Sequence, residues 1–452
     1  MTDSPTETAA TELAGFVSDL DPSDVPADGL RVAERAILDT LGVTLAGTGT
    51  DAAEAALAAI GTTDGSTTVI GRDESLGLPE AVFVNGTAGH ALDFDDVALA
   101  ATDGHPSVPM IAPIFAVGER EGSNGRELLT AFVAGFEAQS YLSRPISPGH
   151  YEAGWHATST VGVFGATAAV ASLLDLSESE TAHALSIAAS MPAGLKRNFG
   201  STTKPIHAGQ AARSGTTAAL LAAEGATANR TAIEGERGFF DLYRGDGTPD
   251  PDRRYELGDR WAIVDDGIDV KKYPCCYYTH AAIYAAIGLR EQYDLTAGAV
   301  DSVAVTASRG AVDALQHEDP TTGLEAKFSM QYLIARALAD GEVGLSAFDD
   351  HNIDGRAIQS LRERVKLVVD DDLPYDSNAA RVAVETRDGD TYERFRERPP
   401  GTHDDPLSAA ELHEKFRMCA ARAPDSVATE SIIEVLDDLR SVSDIESVLD
   451  VL

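Results

Sequence analysis

The spacing of apolar residues changes once along this chain, near Trp261, and that change limits what it can fold into. Upstream, apolar residues recur every three or four positions. This spacing predicts helices over residues 11–20, 30–45, 128–142, 160–174, 179–189 and 210–224. Asp28 stands where it could cap the second of these. Ala and Gly are frequent in them, which permits close helix–helix approach. Downstream, residues 302–307 alternate and 366–369 form a short β-branched run. Residues 381–386 and 391–396 flank Arg387-Asp388-Gly389-Asp390, a hairpin signal. Helical runs at 281–292 and 325–338 lie between these strands, and 409–422 and 425–439 read as a helical tail. The expected fold class is mainly α. A large all-helical domain, 1–267, is completed by C-terminal helices, 401–452, with a smaller α+β domain, 268–400, inserted before that tail.

Asp and Glu number 73 against 35 Lys and Arg, a formal charge of −38. Such a charge repels phosphate backbones and anionic lipid, so nucleic acid and membrane surfaces are poor partners. Only seven cations are lysines: Lys196, Lys204, Lys271, Lys272, Lys327, Lys366 and Lys415. Many acids, few lysines and many small apolar residues fit a very salty cytosol, where screening removes the self-repulsion. The three cysteines, Cys275, Cys276 and Cys419, make neither a disulfide framework nor a zinc spacing. The polar, acidic N-terminus lacks secretory-signal character, and no apolar run reaches membrane-span length. A cytoplasmic protein is expected.

The negative charge has a gap. Residues 181–223 contain no Asp or Glu, where the average acid content would place about seven. The same stretch holds His183, Lys196, Arg197, Lys204, His207 and Arg213. A buried helical hairpin would explain the apolar flanks. It does not explain cations around a Gly/Ser/Thr-rich loop at 198–203, which predicts an anion site at the start of the helix from Gln210. Lys271 and Lys272 make a second cationic spot.

Acid–base candidates cluster in three places. In residues 85–96, NGTAGHALDFDD, a helical reading puts His90 and Asp93 one turn apart with Asp96 next. Carboxylates this close repel, so at least one should have a raised pKa. Pro106 holds His105 extended on a loop, a natural proton carrier at neutral pH. His156 falls at or before the N-terminus of an apolar, Gly-containing helix, which favours its neutral form. Each of these could equally be a satisfied structural residue. GxSxG, P-loop and HExxH motifs are absent. Gly47-Thr48-Gly49-Thr50 follows a helical pattern, not a strand, and is discounted as a dinucleotide turn. The DxDD spelling at 93–96 matches terpene cyclases, but 6% aromatics are too few for a carbocation pocket.

Taken in order, DTLGVTLAG (39–47), NGTAGHALDFDD (85–96), GHPS (104–107), GWHATSTVGVFGA (154–166), KRNFGSTTKPIHAGQAA (196–212) and KKYPCCYYTH (271–280) resemble the MmgE/PrpD family. That family includes 2-methylcitrate dehydratases, cis-aconitate decarboxylases and iminodisuccinate epimerases. The resemblance implies that the inserted α+β domain is a lid, that the protein is a homodimer, and that neither a metal nor another cofactor is needed. It implies a small di- or tricarboxylate substrate. By position, the acid–base residues are Asp93, His105, His156 and Lys204. Lys271 or Lys272 matches a lid lysine that contacts the substrate, and Arg197 and His207 of the acid-free stretch and Cys276 of the lid motif are further candidate substrate-binding residues. The decarboxylase branch has Thr where this chain has Val97, and His where it has Cys276; no counterpart of its lid Tyr occurs at 311–316. The resemblance therefore points first to a cofactor-free dehydratase of the 2-methylcitrate type. Decarboxylation and epimerisation are the alternatives within the family, and a non-catalytic carboxylate-binding module is the alternative outside it.

Overall fold

The computed structural model describes residues 8–60, 65–424 and 427–449. The chain is mainly helical, and it divides into two compact units, Met1–Val270 with Ser408–Leu452, and Lys271–Leu407. Among the described residues no helix is long and apolar enough to cross a membrane.

In the first unit the expected helices form as Ala9–Asp19, Ala27–Gly47, Gly125–Ser143, Gly162–Leu173 and Glu178–Ala188. Gly47-Thr48-Gly49 joins one helix to the next, Asp51–Ile60, and is no dinucleotide turn. Two helix starts differ from expectation. Ala27–Gly47 follows Pro26 at its N-cap and has no side-chain cap; Asp28 lies in its first turn. The helix expected from Gln210 opens earlier, as Thr203–Ala223, and takes in Lys204 and His207. Pro205 does not prevent this, because first-turn N–H groups have no intrahelical acceptor to lose. The tail helix expected from Asp425 runs Thr429–Asp437. Asp425 and Ser426 lie outside the described residues, as do the first seven residues of the N-terminal segment.

Small residues set how these helices cross. A Cβ added to Gly209 would lie 2.3 Å from Thr87 Oγ1 and 2.4 Å from Phe83 O, and one on Gly86 would lie 3.0 Å from Gly209 Cα. Leu78–His90 and Thr203–Ala223 therefore pack backbone against backbone. The tail helix Ala409–Ala420 returns onto Ala27–Gly47, with Phe416 filling the space over Gly42. Beside that contact the buried Lys415 Nζ lies 2.6 Å from Asp39 Oδ1.

The second unit is built on a four-stranded sheet. Its central strand Val300–Ala307 pairs parallel with Val365–Val369 and antiparallel with Ala380–Thr386. Ala380–Thr386 then pairs antiparallel with Thr391–Arg396 at the edge. The predicted hairpin forms, with Gly389 at φ 92° supplying the left-handed turn residue. Helices His280–Tyr293 and Met330–Asp340 bury their apolar faces with Val303, Val305, Val382 and Val384 of the sheet.

Candidate active site

Helix Leu78–His90 ends at His90, earlier than the helical reading of 85–96 required. Asp93 takes φ 51°, a left-handed conformation that Asp tolerates better than most residues. The turn brings Asp95 back beneath the helix end. His90 Nδ1 lies 2.8 Å from Asp95 Oδ2, and His105 Nδ1 lies 3.0 Å from the same oxygen. An ionised carboxylate oxygen can only accept, so His90, whose pKa burial lowers, carries its proton on Nδ1 and presents a bare Nε2. Burial works against the charge on Asp95, but His105 and His90 hold its carboxyl well below the usual range.

The expectation of a raised carboxyl is met at Asp96, which burial and the neighbouring Asp39 push well above the ordinary value. Ser107 Oγ lies 2.5 Å from Asp96 Oδ2. Asp96 thus ties the DFDD turn to the GHPS loop. Lys415 also reaches that turn, donating to Phe94 O at 2.8 Å.

Two contacts bring His105 towards His156. The His105 N–H donates to Thr158 Oγ1 at 3.0 Å, and Gly104 passes so close that a Cβ there would lie 2.7 Å from Thr158 N. His156 is the N-cap of a short helix, Ala157–Thr160, as its position suggested, but its side chain makes no cap bond. Its ring stacks on His90 with centroids 5.5 Å apart and meets Phe199 edge-on at 4.9 Å. His156 Nδ1 lies 3.2 Å from His207 Nδ1.

Lys204, in the first turn of its helix, places Nζ 2.5 Å from Asp93 Oδ1. His105 Nε2 stands 3.8 Å from that same oxygen. Around this ion pair three imidazoles are pushed towards the neutral form. Burial, then His90 and Lys204, push His156 well below its usual range. His90 is lowered by burial, with Lys204 adding and Asp95 opposing. Burial, His90 and Lys204 push His207 down to about 4. The cause is burial among other bases rather than the helix dipole. Among the described residues, His90 Nε2 and His156 Nε2 have no protein hydrogen-bond partner.

The first unit therefore gathers Asp93, His105, His156, Lys204 and His207 in one place. His90 and Asp95 join them, although the sequence reading did not select them for the site. Their signal was available only as two titratable residues inside an already suspicious segment. Arg197, on the 3-10 turn Lys196–Asn198, is exposed and makes none of these contacts. Lys196 is occupied elsewhere, 3.4 Å from the centroid of the Tyr151 ring and bonded to Tyr151 O at 3.1 Å. Lys271, Lys272 and Cys276 belong to the second unit, ahead of helix His280–Tyr293. There the Cys276 N–H bonds to Lys327 O at 3.0 Å, and Lys272 Nζ stands 6.0 Å from the Tyr284 ring centroid.

A buried carboxylate–lysine pair ringed by imidazoles defines a site for general acid–base chemistry. His90, Asp95 and His105 also place one ligand atom each within 4.8 Å of one another, a grouping that could grip a divalent cation.

Comparison with known proteins gives this class its family. The MmgE/PrpD N-terminal domain matches residues 11–252 and the MmgE/PrpD C-terminal domain matches 273–440. The chain belongs to the MmgE/PrpD family and is an enzyme of its lyase type. It is 29% identical to a cis-aconitate decarboxylase of Mus musculus over 96% of this chain and 91% of that protein. It is also 29% identical to a cis-aconitate decarboxylase-like protein, oryM, of Aspergillus oryzae, over 99% and 98%. Identity to a 2-methylcitrate dehydratase of Escherichia coli is 24%, over 79% and 78%. The expectation of a 2-methylcitrate dehydratase is thus not the one these relatives favour.

Proposed function

We propose that the chain is a carboxylate lyase that decarboxylates an unsaturated tricarboxylate of the cis-aconitate type. The observation that carries this reading is the Lys204–Asp93 pair at 2.5 Å, set among the imidazoles of His90, His105 and His156. A trianion entering that neutral cluster favours protonation of one ring, because each added carboxylate stabilises an imidazolium. Bound substrate thereby charges its own acid.

In the reaction, the bond from carbon to the departing carboxylate breaks and its electron pair forms a new C=C. The electron pair of the old C=C takes a proton from an imidazolium Nε2–H, and CO2 leaves. His156 is the proposed donor, since its Nε2 is buried without a protein partner. Decarboxylation releases no proton from carbon, so His105, which faces Asp95, is the proposed base only in the second reading below. Lys204 and Arg197 are the proposed holders of substrate carboxylates in this unit.

The choice of decarboxylation rests on the relatives named above, which match over nearly their whole length. Val97 and Cys276 favour the second reading, dehydration of a citrate-type alcohol, in which the same two histidines take a C–H proton and protonate the leaving hydroxyl. An assay in concentrated salt with cis-aconitate, 2-methylcitrate, citrate and iminodisuccinate separates them. Release of CO2 from cis-aconitate is expected. Loss of water from 2-methylcitrate without CO2 would replace the first reading by the second. Tight binding of every compound with no turnover would leave a binding module.

A further inference from the structure

His156 and His207 meet nitrogen to nitrogen, Nδ1 to Nδ1 at 3.2 Å. Two facing ring nitrogens form a hydrogen bond only when one carries the proton and the other does not. The pair therefore has two arrangements, and each fixes the far nitrogen of both rings. If His207 donates, His156 must carry Nε2–H, a buried donor with no protein acceptor. If His156 donates, its Nε2 is a bare acceptor, and His207 carries the Nε2–H instead. An orphaned buried N–H is the rarer and costlier state than an under-used acceptor. His207 is only half-buried, so its outer N–H can meet water.

We infer that His207 is a positioning residue that fixes the tautomer of His156. The Nδ1–H of His156 donates to His207 Nδ1, and this leaves His156 Nε2 as the one atom of that ring that gains and loses a proton. The arrangement follows the logic of a nucleophile–base–orienter triad, with a neutral imidazole holding the orienter's place. The helix supplies the rigidity. Ser159 Oγ donates to His207 O at 2.9 Å, tying the start of Thr203–Ala223 to the turn that carries His156. His207 thus acts through His156 rather than on the substrate, in contrast to the substrate-binding role its position suggested.

This inference rests on the proposed acid–base role of His156, and its test has an arm that needs no substrate. In 15N-histidine-labelled protein, two-bond 15N–1H correlation spectra should show His156 protonated at Nδ1 and His207 at Nε2. The reverse pattern, or the same tautomer in both rings, would overturn it. If no compound is turned over but the tautomers are as stated, the reading of function fails and this one stands. With a substrate in hand, His207→Phe should lower kcat on the order of 100-fold or more with KM little changed. His207→Gln, whose amide oxygen can accept the Nδ1–H, should recover most of that loss. A His207→Phe enzyme with near-normal kcat, or one changed only in KM, would show instead a packing or substrate-binding residue.

Discussion

His90 and Asp95 are joined by a fully buried hydrogen bond of 2.8 Å between Nδ1 and Oδ2, across a turn that Asp93 makes in the left-handed region. The same carboxylate oxygen faces His105 Nδ1 at 3.0 Å. This acceptor fixes the His90 tautomer and faces His105 as well, and Asp95→Asn should loosen that arrangement. An amide oxygen in the same place carries no charge, so it holds an Nδ1–H more weakly and lets the ring proton shift to Nε2. Turnover should fall by roughly 100- to 10,000-fold, the scale seen when a catalytic imidazole is held in the wrong tautomer. The far-ultraviolet circular dichroism should stay native. A variant within threefold of the parent kcat would remove Asp95 from any positioning role. The same variant tests metal binding: if zinc stabilises the parent but not Asp95→Asn in a thermal-shift titration, the grouping with His90 and His105 is a cation site.

The tail supports this turn from beneath. Lys415 Nζ lies 2.6 Å from the buried Asp39 Oδ1 and donates to Phe94 O at 2.8 Å. Removing one partner leaves a buried charge without compensation, so Lys415→Met should cost about 3–5 kcal/mol. Asp39→Asn combined with Lys415→Met should be less destabilised than the two single losses added together, since no lone charge remains. Urea unfolding of the four proteins gives the coupling, and additive losses would mean the pair is not a unit. Because Phe94 lies between Asp93 and Asp95, the Lys415 variant should lose kcat as well as stability.

Much of this was legible in the sequence, and the rest was hidden for identifiable reasons. Helix periodicity and the Gly-containing hairpin survive folding because each depends on neighbours close in sequence. The acid-free stretch singled out Lys204 and His207, which the fold places against Asp93 and His156. It misplaced their helix start, because first-turn Pro205 reads as a breaker when it is tolerated there. The DFDD segment read as helix because spacing alone cannot reveal a left-handed Asp93. Past that turn it is Asp95 that hydrogen-bonds His90, the residue that the helical reading set beside Asp93. Lys415 was counted as a scarce lysine and given no role, since its partners Asp39 and Phe94 lie hundreds of residues away.

The direction of each shift fixes a pH profile for stability. His90 and His156 are lowered, and burial pushes both His150 and His207 down to about 4. A histidine with a depressed folded pKa is more readily protonated when unfolded, so its contribution is full above about 6.5 and is lost as pH falls towards 4. Asp95, held low, adds to the loss at the acid end. Glu137 has the opposite sign. It accepts from Tyr255 and from the N–H groups of Ala262 and Ile263, yet burial raises it to about 7. Its contribution is full below about 4.5 and is lost as pH rises through 7. Between about 4.5 and 7 the Glu137 loss therefore offsets part of the histidine gain, and the unfolding midpoint should climb from pH 4 and level off near neutrality. Glu137→Gln should steepen the climb between 4.5 and 7. A midpoint that climbs steadily from pH 7 to pH 9 would contradict the assignment.

Salt is the condition on which the whole fold should depend. The chain carries −38 formal charges, and in dilute buffer such self-repulsion opposes the compact state. The scarce lysines are not spread over the surface to offset it. Lys204, Lys271, Lys327 and Lys415 are buried, Lys196 and Lys272 are half-buried, and Lys366 is exposed. Each buried lysine of the first unit has a specific partner: Lys204 holds Asp93 and Lys415 holds Asp39. The surface thus keeps its acids and relies on arginine and dissolved cations. At about 1 M ionic strength the screening length falls to about 3 Å, which removes repulsion between all but adjacent carboxylates. Thermal unfolding in increasing potassium chloride should show the midpoint rising steeply into the molar range. The buried pairs are screened far less, so the energetic coupling between Asp39 and Lys415 should change little over the same range. A midpoint independent of salt would mean that the surface charge is compensated in a way these lysine positions do not reveal. A coupling that vanished with salt would place that pair in contact with solvent.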